Sequence, residues 1–245
     1  MPQTIIDARL PDALAGVNFA YGRGECPFPI DVIVIHVSEG DAASVRAWFR
    51  NPEAKVSAHY LVTKAGNVIQ FVDEEDKAFH AGQLVAPTAA IVRQRSAQGG
   101  WTPNSYGIGI EHEGSGREEL TKAQRDASYA LVSGIIARRR IPVDRDHIIG
   151  HREVKATKTC PGRIDVDRMV NDLRGLIPAI ASDPVPVATA YPRAVWSNVL
   201  SDYVAVVRYV NDDEWYFRAF KSLDTAEAKR AGAPLSAFPL VAPTV

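Results

Sequence analysis

Residues Asp31 to His36 read DVIVIH, an uninterrupted β-branched run that predicts a short strand buried on both faces, with a histidine delivered at its end. Residues 41 to 50 carry a helical pattern. The runs SAHYLVT and NVIQFV follow, separated by Lys64, Ala65 and Gly66, and this spacing predicts an antiparallel hairpin with a short glycine-containing turn. From 81 to 105 no period is sustained and Gly99, Gly100 and Pro103 intervene, so a long surface loop is expected. YGIGIEHEG returns to strand character, and its alternation separates Glu111 from His112. Thr121 and Gln124 match a capping box ahead of a helix through residue 140, in which Leu131, Val132, Ile135 and Ile136 recur at helical spacing. A last short strand, DHIIG, ends at Gly150. A loop from His151 to Gly162 then leads to a helix carrying Val166, Met169, Val170, Leu173 and Ile177, limited by Pro178.

The pattern changes after Ile180. ASDPVPVATAYP is proline-rich and reads as an extended linker, which places a domain boundary here: residues 1–180 as the main domain, 181–190 as linker and 191–245 as a small module. In that module SDYVAVVRYV and EWYFRAF read as strands joined at Asn211, Asp212 and Asp213. The same stretch holds Trp196, Tyr203, Tyr209, Trp215, Tyr216, Phe217 and Phe220. Such aromatics suit stacking on sugar rings, yet a small β module also needs large side chains simply to form a core.

Composition narrows the options without choosing among them. With 46% hydrophobic and 23% charged residues the 245-residue chain has an ordinary globular balance, and a net charge of -1 offers no general attraction to nucleic acid or anionic lipid. The tail from Asp183 holds six basic against seven acidic residues, which gives no polybasic anchor. No stretch reads as membrane-spanning, and MPQTIIDARLPDA shows no basic segment followed by an apolar run, so no signal peptide is expected. The only cysteines, Cys26 and Cys160, can pair in one disulfide but make no framework.

Chemistry is concentrated at three positions. His36 ends a strand, while His151 and Cys160 share the loop after another, and two imidazoles with a thiolate suit zinc with a fourth position left for water. Spacing alone is a weak signal, because the separations match no finger-type pair. Singly, each residue has a commoner role: a hydrogen-bonded core histidine, a loop histidine, a buried thiol.

Four words together say more than the spacing. IVIHVSEG, SAHYLVTKAGNVIQFV, NSYGIGIEHEG and IIGHREVKATKTCPG resemble, in the same order, the type 2 N-acetylmuramoyl-L-alanine amidases, a family related to peptidoglycan recognition proteins. The resemblance spans residues 30 to 178, and its most specific piece is the GHREV…KTCPG block. It implies an α/β fold with a central mixed β-sheet flanked by helices, and zinc held by His36, His151 and Cys160, which leaves Cys160 outside any disulfide with Cys26. It further implies proton transfer by Glu111 and support of developing charge by Lys158. Some relatives place a catalytic tyrosine at the position that here is Ala58, so this chain resembles the subgroup that relies on glutamate.

His80, in AFHAG, and Asn104 resemble residues that line the peptide groove, and Tyr60 stands with them as a substrate-binding candidate. His80 as a surface histidine and Asn104 as a turn residue are the competing assignments. His59, His112 and His147 carry no comparable claim, and alternation turns the first two away from Tyr60 and Glu111. The implied function is zinc-dependent cleavage of the bond between N-acetylmuramic acid and L-alanine in peptidoglycan, as an endolysin accumulating in the cytoplasm before release to the wall, or as an autolysin. A cytosolic amidase recycling muropeptides and a non-catalytic peptidoglycan-binding protein are the alternatives. Peptidoglycan is the expected partner, with no nucleic acid and no membrane insertion.

Overall fold

In the computed structural model, residues 5–176 are described, together with three later strands at 195–197, 202–208 and 215–220. The chain divides into two units, Met1–Ile180 and Ala181–Val245. The first unit is built on β1 (Ile5–Asp7), β2 (Phe19–Ala20), β3 (Val32–Ile35), α1 (Ala42–Arg50), β4 (Tyr60–Val62), β5 (Val68–Gln70), β6 (Lys77–Ala78), α2 (Ala90–Ala97), α3 (Pro103–Tyr106), β7 (Gly107–His112), α4 (Lys122–Arg139), β8 (Ile148–Gly150), α5 (His151–Val154) and α6 (Val166–Leu176).

Six strands form one mixed sheet in the order β1-β5-β4-β7-β3-β8. Only β4 and β5 pair antiparallel, Val62 opposite Val68, through the expected hairpin, and the other pairings are parallel. In β3, Ile33 and Ile35 join the core beneath α4 and α6, while Val32 and Val34 pack on the opposite face with Ile91, Val92 and Tyr106. Burial on both faces explains the unbroken apolar run of the parallel strand. Each of those fully buried side chains contributes about 1.5–3 kcal/mol relative to exposure. A further cluster, with Val45 and Phe49 of α1, closes over Leu61, Ile69 and Phe71.

Three places differ from expectation. The stretch 81 to 105, expected as a surface loop, contains α2 and α3, because Ile91 and Val92 bury against β3 and Arg95 reaches Asp31 through two bonds of 2.6 and 2.7 Å. Tertiary burial outweighs the weak local pattern there. The capping box before α4 forms only by half: Thr121 Oγ1 accepts from Gln124 N at 3.1 Å, but the Gln124 amide turns inward and donates to the carbonyls of Val62 and Glu113. A one-turn helix, α5, also opens the segment expected as loop from His151.

The second unit contains β9 (Val195–Ser197), β10 (Asp202–Arg208) and β11 (Trp215–Phe220), antiparallel in the order β11-β10-β9. The expected linker, the turn at Asn211 to Asp213, and Ile177 lie outside the described residues. Among the described residues no helix is long and apolar enough to cross a membrane.

Candidate metal centre and cleft

The centre lies at the carboxyl ends of β7, β3 and β8, where an open α/β sheet leaves its characteristic crevice. Pairing of Ile35 with both Ile110 and Gly150 sets the register. One residue beyond it, His36 follows β3, Glu111 continues β7 and His151 opens α5. Alternation then sends Ile110 and His112 toward α4 while Glu111 faces the crevice with His36. Gly150 lets the third segment approach: a Cβ there would stand 2.8 Å from Cδ of Pro161, beside Cys160.

His36, His151 and Cys160 are all buried, and their ligand atoms lie within 4.8 Å of one another. Nδ1 of His36 is 3.1 Å from Nδ1 of His151 and 3.7 Å from Sγ of Cys160. Two nitrogens on a tetrahedral zinc stand about 3.3 Å apart, and nitrogen and sulfur about 3.6 Å, from ordinary zinc bond lengths. The donor set fits the ion. Neither Cys160 nor Cys26 is in a disulfide.

Electrostatics point the same way. Burial, then the surrounding imidazoles, hold His36 well below the ordinary histidine value, and burial lowers His151 to about 4, so both rings are neutral, the form that binds metal. Burial, followed by the charge of Glu111, pushes the Cys160 thiol up to about 12. A thiol so desolvated ionises only beside a cation. Glu111 stands 3.9 Å from His36 Nδ1 through one oxygen, and its other oxygen is buried with no hydrogen-bond partner. Burial first, then the neighbouring charge of Glu39, raises its carboxyl to about 8 against the opposing pull of Lys158.

These groups open into a cleft of about 490 Å³. Val45, Trp48, Phe49, Val56 and Phe79 form an apolar side, with Trp48 53% exposed. Ser38, Glu39, Glu111, Lys158 and Thr159 supply polar groups. Such a mixture suits a ligand with both apolar and hydrogen-bonding parts.

Of the residues expected at the site, His36, His151, Cys160, Glu111, Lys158 and His80 all line this cleft. Asn104 does not; its Oδ1 accepts from the backbone N–H groups of His80 and Ala81. Tyr60 is corrected outright: it is 3% exposed, sits in the core and donates its hydroxyl to Glu74 Oε1 at 2.9 Å, because alternation turns it to the α4 face. His112 braces the centre from behind, bonded to the His36 carbonyl and to Ser128 of α4. His59 accepts from Gly109 N inside the fold, and His147 pairs with Asp144. Sequence reasoning missed Glu39 and Trp48. Glu39 sits in the HVSEG word three residues after His36, a signal that was available, whereas only packing shows that Trp48 borders the cleft.

A mixed-sheet α/β protein that gathers two neutral imidazoles and one thiol at the carboxyl edge of its strands has the donor set of a candidate metal site. More narrowly, the chain belongs to the N-acetylmuramoyl-L-alanine amidase family, whose model matches residues 27–163. It is similar to N-acetylmuramoyl-L-alanine amidase A of Achromobacter lyticus, 35% identical over 44% of this chain and 52% of that protein. It is also similar to the 1,6-anhydro-N-acetylmuramyl-L-alanine amidase AmpD of Haemophilus influenzae, 30% identical over 50% of this chain and 61% of that one. With AmpD of Salmonella typhimurium the identity is 30% over 64% of this chain and 76% of the relative. The match thus spans between half and two thirds of the first two relatives. Two solved structures share the fold: a selenomethionine derivative of AmpD (TM-score 0.52, 23% identity, 71% of this chain and 99% of that one) and the PlyG catalytic domain (TM-score 0.51, 18% identity, 74% and 100%).

Proposed function

We propose that this chain hydrolyses the amide between N-acetylmuramic acid and L-alanine in peptidoglycan, with zinc held by His36, His151 and Cys160. The observation that carries the reading is the convergence of those three donors within 4.8 Å at a cleft that also holds Glu111 and Lys158. When bound, zinc supplies a Lewis acid that lowers the pKa of water and polarises the scissile carbonyl.

The remaining work falls to side chains. Glu111 takes a proton from the attacking water and returns it to the alanine nitrogen as the carbon–nitrogen bond breaks, leaving a lactyl carboxylate and a free amine. The buried position of Glu111, with one carboxylate oxygen free of any hydrogen-bond partner, suits a group that must accept a proton and then donate it. Lys158 places its ammonium beside the oxygen that gains negative charge. The exposed face of Trp48 offers a platform for a sugar ring or the stem peptide.

Digestion of purified sacculi with and without a chelator tests the reading, with mass spectrometry for released stem peptides bearing new alanine amino termini. Glycan fragments without such termini refute it. Cys160→Ser is expected to lower zinc content and activity together, and full zinc occupancy in the active variant removes Cys160 from the ligand set.

The similarity to AmpD proteins over most of their length favours a second reading, a soluble anhydro-muropeptide as substrate. Comparing turnover of that fragment with turnover of intact sacculi separates a recycling enzyme from an endolysin or autolysin. The proposal also divides the chain as 1–180, 181–190 and 191–245, the last part binding the wall. It rests there on the proline-rich junction and the aromatic content.

A further inference from the structure

The two imidazoles are held from behind by one dipeptide. With Nδ1 of each ring facing the shared point, each Nε2 carries the proton and must donate to a fixed acceptor. His36 Nε2 lies 3.1 Å from Nδ1 of His80, and His151 Nε2 lies 3.3 Å from the carbonyl of Ala81. His80 and Ala81 are adjacent, and both of their backbone N–H groups donate to the same atom, Oδ1 of Asn104, at 2.9 and 2.7 Å. An asparagine that merely satisfies its own turn bonds two residues along the chain; this one bonds 23 and 24 residues back.

Asn104 is anchored in turn. Its carbonyl accepts from the guanidinium of Arg23 at 2.9 Å, and the same guanidinium grips the carbonyls of Gly107 and Glu74 at 2.9 and 2.6 Å. The ring of His80 rests against β7 where Gly109 makes room, since a Cβ there would stand 2.4 Å from His80 Cγ.

We propose that Asn104 is a positioning residue whose single amide oxygen sets the His80–Ala81 dipeptide and thereby aims both imidazoles at the metal. The proposal rests on the metal reading above and extends it to a residue that touches neither metal nor substrate. His80, besides lining the cleft, then acts as the acceptor that fixes the proton of His36 on Nε2.

Zinc affinity by competition with a chromophoric chelator tests this, with the visible bands of the cobalt-substituted protein as second readout. Asn104→Leu is expected to weaken zinc binding by about 10- to 100-fold and to alter the cobalt bands. Asn104→Asp keeps an acceptor oxygen and is expected to restore both. If Asn104→Leu does not fold, Asn104→Ser, too short to reach both N–H groups, carries the same expectation. A folded variant lacking the oxygen that keeps wild-type zinc affinity and cobalt bands overturns the proposal, even if its melting temperature falls. Failure of the wild-type protein to bind one zinc overturns the metal reading, and the positioning role with it.

Discussion

Glu111 obtains its character from neighbours that its own strand does not supply. Desolvation beside His36 and Cys160 raises its carboxyl, and Glu39, held at a left-handed φ of 54° three residues after His36, adds a second negative charge. An alternating strand in isolation would leave a solvated carboxylate. Glu111→Gln is expected to cut kcat by about 10²- to 10⁴-fold while zinc content stays at the wild-type level, measured by stem-peptide release alongside metal analysis. A variant with near-normal kcat removes Glu111 from proton transfer. Under the proposed function, Trp48 contacts substrate and takes no part in the chemistry. Its replacement by alanine should raise KM on sacculi and spare kcat, and an unchanged KM counts against the stacking role.

The parallel strands β3, β7 and β8 bring three sequence-distant groups to one edge, and α4 locks the far side of the sheet. Arg138 and Arg139, at the carboxyl end of α4, both bind Glu74, whose side chain is 6% exposed and which also accepts from Tyr60. Burial alone would raise Glu74, but the hydrogen bonds and charges of the two arginines outweigh it, and the carboxyl lies below its ordinary range. A carboxyl depressed in the folded state contributes stability that is complete above the unfolded pKa, roughly 4.3 for glutamate, and is lost as the pH falls through the folded value. Glu74→Gln should therefore cost about 1.5–3 kcal/mol at pH 7, the range for hydrogen bonds to charged groups, because the arginines left behind are partly open to water. Urea unfolding of both proteins from pH 7 downward should show that gap narrowing below about pH 4. A gap independent of pH removes the ionic contribution. Gly109 carries a separate expectation: an alanine there meets the His80 ring, so Gly109→Ala should weaken zinc binding in a protein that still folds, and unchanged affinity would mean the ring has another seat.

At the scale of the whole molecule, wall binding by residues 191–245 predicts that ending the chain after Ser182 lowers co-sedimentation with purified cell walls while leaving cleavage of a soluble muropeptide intact. Undiminished sedimentation assigns wall recognition to the first unit instead. Much of this protein was legible in its residues. The DVIVIH run, the hairpin around Gly66 and the spacing of α4 and α6 follow from local periodicity, which reports which face of an element must leave water. The words around His36, Glu111, His151 and Cys160 carried the resemblance, and the donors they named do converge. Periodicity could not reveal that the stretch from 81 to 105 folds into two helices or that the Gln124 amide turns inward. Each of those outcomes depends on partners far away in the chain. The sequence by itself determined the elements, the faces they bury and the types of donor available. Only the tertiary structure decided the distances between donors, the Glu111 carboxyl raised by burial and then by Glu39, and the amide oxygen of Asn104 behind both imidazoles, because desolvation and hydrogen-bond geometry exist only once separate segments are packed together.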